Sequence, residues 1–184
     1  MRTRQAVIAG VLALATLGLA ATPAAAQGAQ PRAGFWGGFG MGWGSMGVGC
    51  DGCDGADRTG SYSGYLKLGG TLSPHVLLGA EFNGWSKSEN GVTVDLGNAS
   101  AAAYWYPDVQ SGLFVKGGAG YSRLSASNGG ASASEGGFGL VAGLGYDLRI
   151  ARNTSLTPVF NYFRGAFDGG RADVFQLGLG VTFH

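Results

Sequence analysis

The sequence predicts an all-β fold: an eight-stranded antiparallel up-and-down transmembrane β-barrel with short periplasmic turns and longer extracellular loops. Three observations predict it. Glycine supplies 37 of the 184 residues, poor material for helices and suitable material for strands and turns. Apolar residues recur at every second position in one segment after another. The connections between these segments alternate, short then long, along the chain. The rest of the composition excludes other classes. With 45% apolar and 12% charged residues the chain is no disordered polyelectrolyte, and 12 basic against 11 acidic residues give nucleic acid no basic field to bind.

The first element is a secretory signal over residues 1–26, which leaves 27–184 as the barrel domain. Arg2 and Arg4 form its charged start, Ala6 to Ala21 its apolar stretch, and Ala24-Ala25-Ala26 a small-residue cleavage site before Gln27. No other apolar run approaches the ~18 residues of a helical span, so strands must do any crossing.

The strands follow in order. Phe35, Phe39, Met41 and Trp43 alternate with Gly38, Gly40, Gly42 and Gly44; Tyr62, Leu66, Leu68 and Leu72 oppose Ser61, Ser63, Tyr65 and Lys67. Val76, Leu78, Ala80 and Phe82 oppose Gly79, Glu81, Asn83 and Trp85. Residues 92–106 form a fourth strand whose phase changes near Asn98. In the fifth, Leu113, Val115, Ala119 and Tyr121 oppose Lys116, Gly118, Gly120 and Ser122. The sixth is the clearest, with Phe138, Leu140, Ala142, Leu144, Tyr146, Leu148 and Ile150 on one face. The seventh, 155–164, contains Pro158, which cannot donate to a ladder and points to a bulge. The eighth sets Phe175, Leu177, Leu179, Val181 and Phe183 against Gln176, Gly178, Gly180 and Thr182.

Residues 73–75, 107–111 and 151–153 are the short turns, and Met46–Gly60, Ser86–Gly91, Leu124–Glu135 and Gly165–Asp173 the long, Gly- and Asp-rich loops. Short turns on one rim and long loops on the other describe a bacterial transmembrane barrel, with both termini on the short-turn side.

Volume decides which face meets lipid. Eight strands enclose a space that side chains largely fill, and upwards of thirty apolar side chains cannot share it. The apolar face therefore turns outward. Lys67, Glu81, Lys116, Asp147 and Arg149 turn into the lumen, where abundant Gly leaves room for Trp36, Tyr65, Trp85 and Tyr104. Aromatics near segment ends, at Phe35, Tyr62, Tyr104, Trp105, Tyr121, Phe138 and Phe183, mark the interfacial girdles.

The segments Gly112-Leu113-Phe114-Val115-Lys116-Gly117-Gly118-Ala119-Gly120-Tyr121 and Gln176-Leu177-Gly178-Leu179-Gly180-Val181-Thr182-Phe183-His184 resemble those of the small eight-stranded outer-membrane β-barrel proteins of Gram-negative bacteria. The resemblance covers nearly all of 27–184. It implies an outer-membrane β-barrel domain, embedded in outer-membrane lipids. It also implies that the terminal strand is the signal read by the barrel-assembly machinery, here ending in Phe183 and His184 instead of in the aromatic itself.

Candidate sites are few. Cys50 and Cys53, the only cysteines, fall in the first long loop, and in an exported protein a local disulfide is the leading reading over a redox pair or a zinc site. Asp51, Asp54 and Asp57 form a solvated acidic turn with no calcium-loop spacing. The five lumen charges allow two readings: the lining of a narrow pore, or a paired network that plugs the barrel. The second is favoured because confined charges must find partners. Two histidines, His75 in a turn and His184 at the end, leave no base for a Ser-His-Asp set, which counts against a lipid-modifying enzyme. The matches to G-x-G-x-x-G at Gly42 and Gly47 are chance in so Gly-rich a chain. No catalytic residue, metal site or cofactor is assigned.

The expected role is that of a monomeric, non-enzymatic envelope protein, anchored by its barrel and contacting an extracellular ligand, which the sequence does not name, through its surface loops. A narrow pore for ions or small solutes is the alternative.

Overall fold

The computed structural model describes residues 32–50 and 58–184, with the side chain of Cys50 excepted. The signal segment, the acidic turn and the Cys50–Cys53 pair therefore lie outside the described residues.

Among the described residues nine strand segments make one closed antiparallel sheet: β1 (Phe35–Cys50), β2 (Thr59–Ser73), β3 (Val76–Glu89), β4 (Val92–Trp105), β5 (Leu113–Asn128), β6 (Ala131–Tyr146), β7 (Leu148–Ala151), β8 (Thr154–Phe167) and β9 (Gly170–Phe183). Neighbours in sequence pair except β6 and β7, which both pair with β8, and β1 closes onto β9 from Gly37 opposite Phe183 to Cys50 opposite Gly170. Closure removes the unpaired edge that lipid could not hydrogen-bond.

The nine segments are eight passes, because β6 and β7 are one strand interrupted at Asp147. Gly145 faces Val159 and Leu148 faces Leu156, so the register against β8 is the same on both sides of the break. The break lies beside Pro158, whose nitrogen carries no hydrogen for the ladder. On the other edge the Asp147 nitrogen bonds Gly112 O at 2.9 Å, one step beyond the pair of Leu113 with Tyr146, so the β5 side of the strand stays bonded across the break. The bulge expected at Pro158 is absent: β8 pairs β9 in unbroken register through Pro158 opposite Leu179. The proline spends its missing donor on the edge facing β6.

The short connections, at 74–75, 106–112 and 152–153, all lie on the rim that holds Arg32 and His184. At the far rim the asymmetry takes another form than open loops. Residues read as loop at 86–91, 124–135 and 165–173 are mostly strand, closed by the pairs Asn90-Gly91, Gly129-Gly130 and Asp168-Gly169. Eight of the nine segments run 14–16 residues, beyond the ~9–11 that cross a bilayer, so the excess stands clear of it as paired ribbon. Small polar side chains in these stretches hide the strand signal, while backbone pairing continues regardless of apolar period.

Asn90 and Gly91 have φ of 52° and 80°, the mirror-image hairpin turn that suits twisted strands. Replacing Gly91 by Val forces a branched side chain into the left-handed region, and we expect a loss of about 1–2 kcal/mol in urea unfolding of the refolded barrel.

β4 keeps one phase from end to end, with Leu96, Asn98, Ser100, Ala102 and Tyr104 all inward. The change seen in the sequence near Asn98 is a reversal of environment. Within the membrane the outward face is apolar, as at Leu66, Phe82, Leu140 and Leu179. Beyond it the outward face turns to Ser86, Asp95 and Arg123, and the inward face becomes apolar at Trp85, Leu96, Met46, Val174 and Phe163. The lower barrel is built for lipid and its extension for water.

Candidate functional site

The lumen is filled in three tiers. The tier at the short-turn rim is aromatic: Trp36, Tyr104, Tyr106 and Phe114 are all buried, with Trp36 and Tyr104 edge to face at 4.9 Å and Tyr106 and Phe114 tilted at 5.4 Å. Strand alternation puts these rings inside, and the bare Gly rows give them room. A Cβ at Gly145 would meet the Phe114 ring at 2.5 Å.

Set against these rings are the charges. Glu81 is fully buried on β3 and takes three donors. Asn83 Nδ2 bonds Oε1 at 2.9 Å, Lys116 Nζ forms an ion pair with the same oxygen, and Tyr104 Oη donates to Oε2. Lys116 lies over the Tyr65 and Tyr104 rings at 5.7 and 5.6 Å. Lys67, from β2, stands among three rings, 5.0 Å from the centre of Phe114, 5.4 Å from Tyr104 and 5.8 Å from Trp36, with the Asp147 and Glu81 carboxylates acting on its charge. Ring faces and carboxylates together replace water around two ammonium groups.

Asp147 lies between the outward Tyr146 and Leu148, and the same alternation turns its carboxylate inward. Thr157 Oγ1 donates to Oδ1 at 2.7 Å, Tyr106 Oη donates to Oδ2 at 2.8 Å, and His184 Nε2 lies 3.4 Å from Oδ2. Arg32, just before β1, closes this end. Its guanidinium stacks 3.6 Å from the Tyr106 ring centre and donates to Ser111 O at 2.7 Å and Val109 O at 3.3 Å. Burial, then the Asp147 charge, raises the Tyr106 phenol well above its ordinary value, so it remains a donor.

A middle tier of amides and hydroxyls follows. Asn161 Nδ2 donates to Gln176 Oε1 at 2.7 Å, Gln176 Nε2 to Ser63 Oγ at 2.7 Å, and Asn98 Nδ2 to Ser122 Oγ at 2.9 Å. The outermost tier is the apolar group of Trp85, Leu96, Met46, Val174 and Phe163, with Trp85 Nε1 bonded to Gly44 O at 3.0 Å.

Four of the five charges expected in the lumen, Lys67, Glu81, Lys116 and Asp147, are buried there in two linked groups. Arg149 is not. Two residues past the break it lies at the water-facing turn, where Nε donates to Ala151 O at 3.3 Å and the guanidinium also reaches Arg152 O. A guanidinium with water in reach has no reason to enter a lumen already balanced. Tyr104, which the alternation assigned to the lumen and its strand-end position to the girdle, is in the lumen. Sequence reading missed Arg32, which precedes the first strand, and Tyr106 and Phe114, which carry no polar signature of an inner face. Phe183 pairs with Gly37 and Thr154 at the closure, half-exposed, and the His184 nitrogen donates to Asn153 O at 3.0 Å. Among the described residues no group of His, Cys, Asp and Glu is placed to hold a metal ion.

Comparison with known proteins gives one family. The family model described as the outer membrane protein beta-barrel domain matches residues 12–183. No curated protein sequence matches the chain. Among solved structures, the attachment invasion locus protein Ail of Yersinia pestis superimposes with a TM-score of 0.58 at 17% identity, over 82% of this chain and 99% of Ail. Neisserial surface protein A does so with a TM-score of 0.58 at 17% identity, over 81% and 96%. The N-terminal barrel domain of OprF from Pseudomonas aeruginosa follows at 0.50 and 16% identity, over 80% and 98%. At these identities the likeness is one of fold.

Proposed function

The chain belongs to the outer membrane protein beta-barrel domain family and is a protein of the Gram-negative outer membrane, and from that premise we propose that it is an occluded, non-enzymatic barrel whose working surface is outside the lumen. The observation that carries this reading is the continuity of the filling. Paired charges, amides and apolar side chains succeed one another from Arg32 at one end to Met46 and Val174 at the other. A conducting lumen leaves space beside its charges, whereas Glu81 is fully buried and packed against Asn83, Tyr104 and Lys116.

On this reading the barrel is an anchor in outer-membrane lipid, inserted as a monomer by the assembly machinery through the strand that ends at Phe183 and His184. Contacts with an extracellular ligand fall to the surface loops: the hairpins closed at Asn90-Gly91, Gly129-Gly130 and Asp168-Gly169, and the Cys50–Cys53 segment that the sequence assigns to the same side. Liposomes loaded with the refolded chain are expected to swell in small sugars no faster than empty ones. Swelling at a rate that scales with protein would favour the alternative, a narrow pore lined by Lys67 and Lys116.

A further inference from the structure

Outside the lumen, one cleft gathers cations on the lipid-facing side of the far rim. Cross-strand register places Gly47, Asp173 and Arg164 side by side on β1, β9 and β8, and the next row outward holds Gly49, Arg171 and Ala166. Arg58, just before β2, reaches over the same row. Its Nη1 meets Asp173 Oδ2 at 2.7 Å, its Nη2 donates to Ser45 O at 2.5 Å, and its guanidinium stacks on Phe175 at 4.6 Å. The cleft is shallow and open, about 430 Å³, and is lined by Arg58, Arg164, Arg171, Asp173, Tyr162 and Phe175.

Two features suit it to a ligand. Three guanidinium groups line it against a single carboxylate, and Arg58 already occupies that one. The glycines beneath keep it open, since a Cβ would meet the Arg58 Nη1 at 2.6 Å from Gly47 and the Arg171 Nε at 3.0 Å from Gly49. Its level on the barrel decides what kind of anion fits. Directly below lie Phe175, 43% exposed, and Leu177, 67% exposed, the top of the lipid-facing band. An anion seated here sits at the membrane boundary with apolar wall beneath it.

We propose that this cleft binds the phosphorylated headgroup of an outer-leaflet lipid, whose acyl chains descend over Phe175 and Leu177. Guanidinium forks match phosphate oxygens in pairs, and a headgroup phosphate brings the negative charge that the cleft lacks. The site is independent of whether the lumen conducts.

The test reconstitutes the full chain in phosphatidylcholine nanodiscs containing bis-phosphorylated lipid A, extracts it in mild detergent, and counts the lipid A retained by native mass spectrometry. Folding of every variant is checked by heat-modifiable gel migration. The wild type and Arg123→Gln, a control on another part of the same rim, are expected to retain lipid A. The double variant Arg164→Gln/Arg171→Gln is expected to retain at least about tenfold less. Equal retention by the folded double variant would overturn the proposal, as would equal retention of lipid A stripped of its phosphates. Displacement by millimolar inorganic phosphate would make this a site for free anions and overturn the lipid assignment.

Discussion

Replacing Glu81 by Ala is expected to lower the unfolding free energy of the refolded barrel by about 3–5 kcal/mol, read from urea unfolding in detergent or lipid. The carboxylate is fully buried and is the acceptor shared by Lys116, Tyr104 and Asn83. Removing it leaves two ammonium groups, Lys67 and Lys116, in one closed compartment with Asp147 as the remaining carboxylate. The loss comes from the stranded charge more than from the bond. The double change Glu81→Leu/Lys116→Met should therefore recover most of it, since replacing both partners of a buried pair by apolar groups of similar size is often neutral. A loss below about 1 kcal/mol for Glu81→Ala is what a solvated pair would give, and would contradict the packed lumen.

A comparable effect is expected from Trp85→Ala in the outer tier, about 3–5 kcal/mol. Trp85 is 2% exposed, and its loss opens a void between Leu96 and Val174 and leaves the Gly44 carbonyl without its indole donor. Trp43 is the internal comparison. It is 54% exposed on the opposite face, edge to face with Tyr62 at 5.4 Å, and there lipid can fill the space a smaller residue leaves. Trp43→Ala should be much the milder change. Equal losses at the two positions would mean that the two faces of the sheet are not as different as the structure makes them.

These two positions also show what the sequence could and could not reveal. Alternation is a property of neighbouring residues, so the assignment of Trp85, Glu81 and Lys67 to the inner face follows from the sequence directly. So does the count of eight passes, because Tyr146, Leu148 and Ile150 keep their face across the break at Asp147. Apparent failures occur where another rule overrides hydrophobic period. In β4 the period holds but the solvent changes from lipid to water, so Val94 and Leu96 point in where Ala99 and Ala101 point out. In the hairpin closed by Gly129 and Gly130, ladder bonds alone carry the strands from Ser125 to Ser134, and a run of Ser and Ala carries no periodic signal. Pro158 interrupts one edge of its strand and leaves the other intact, which a single chain cannot disclose.

The site was legible to the same depth. That Lys67, Glu81, Lys116 and Asp147 would share an interior follows from strand parity. Which carboxylate meets which cation depends on the stagger between β3 and β5, and that is set by the closure of the whole barrel. Arg32 and His184 fall outside any strand pattern, yet chain reversal brings both to the Tyr106 and Asp147 end of the lumen. Arg58 is more than a hundred residues from Arg164 and Arg171 in sequence, and it joins them only because β1 pairs with both β2 and β9.

Whether the lumen is closed along its length is tested most directly by single-channel recording of the refolded chain in a planar bilayer once β-structure is established. Wild-type protein is expected to leave the membrane quiet across the voltage range in which the bilayer itself is stable. Discrete openings whose size falls when Lys67 or Lys116 is replaced would contradict a closed lumen, and would make those residues the wall of a pore.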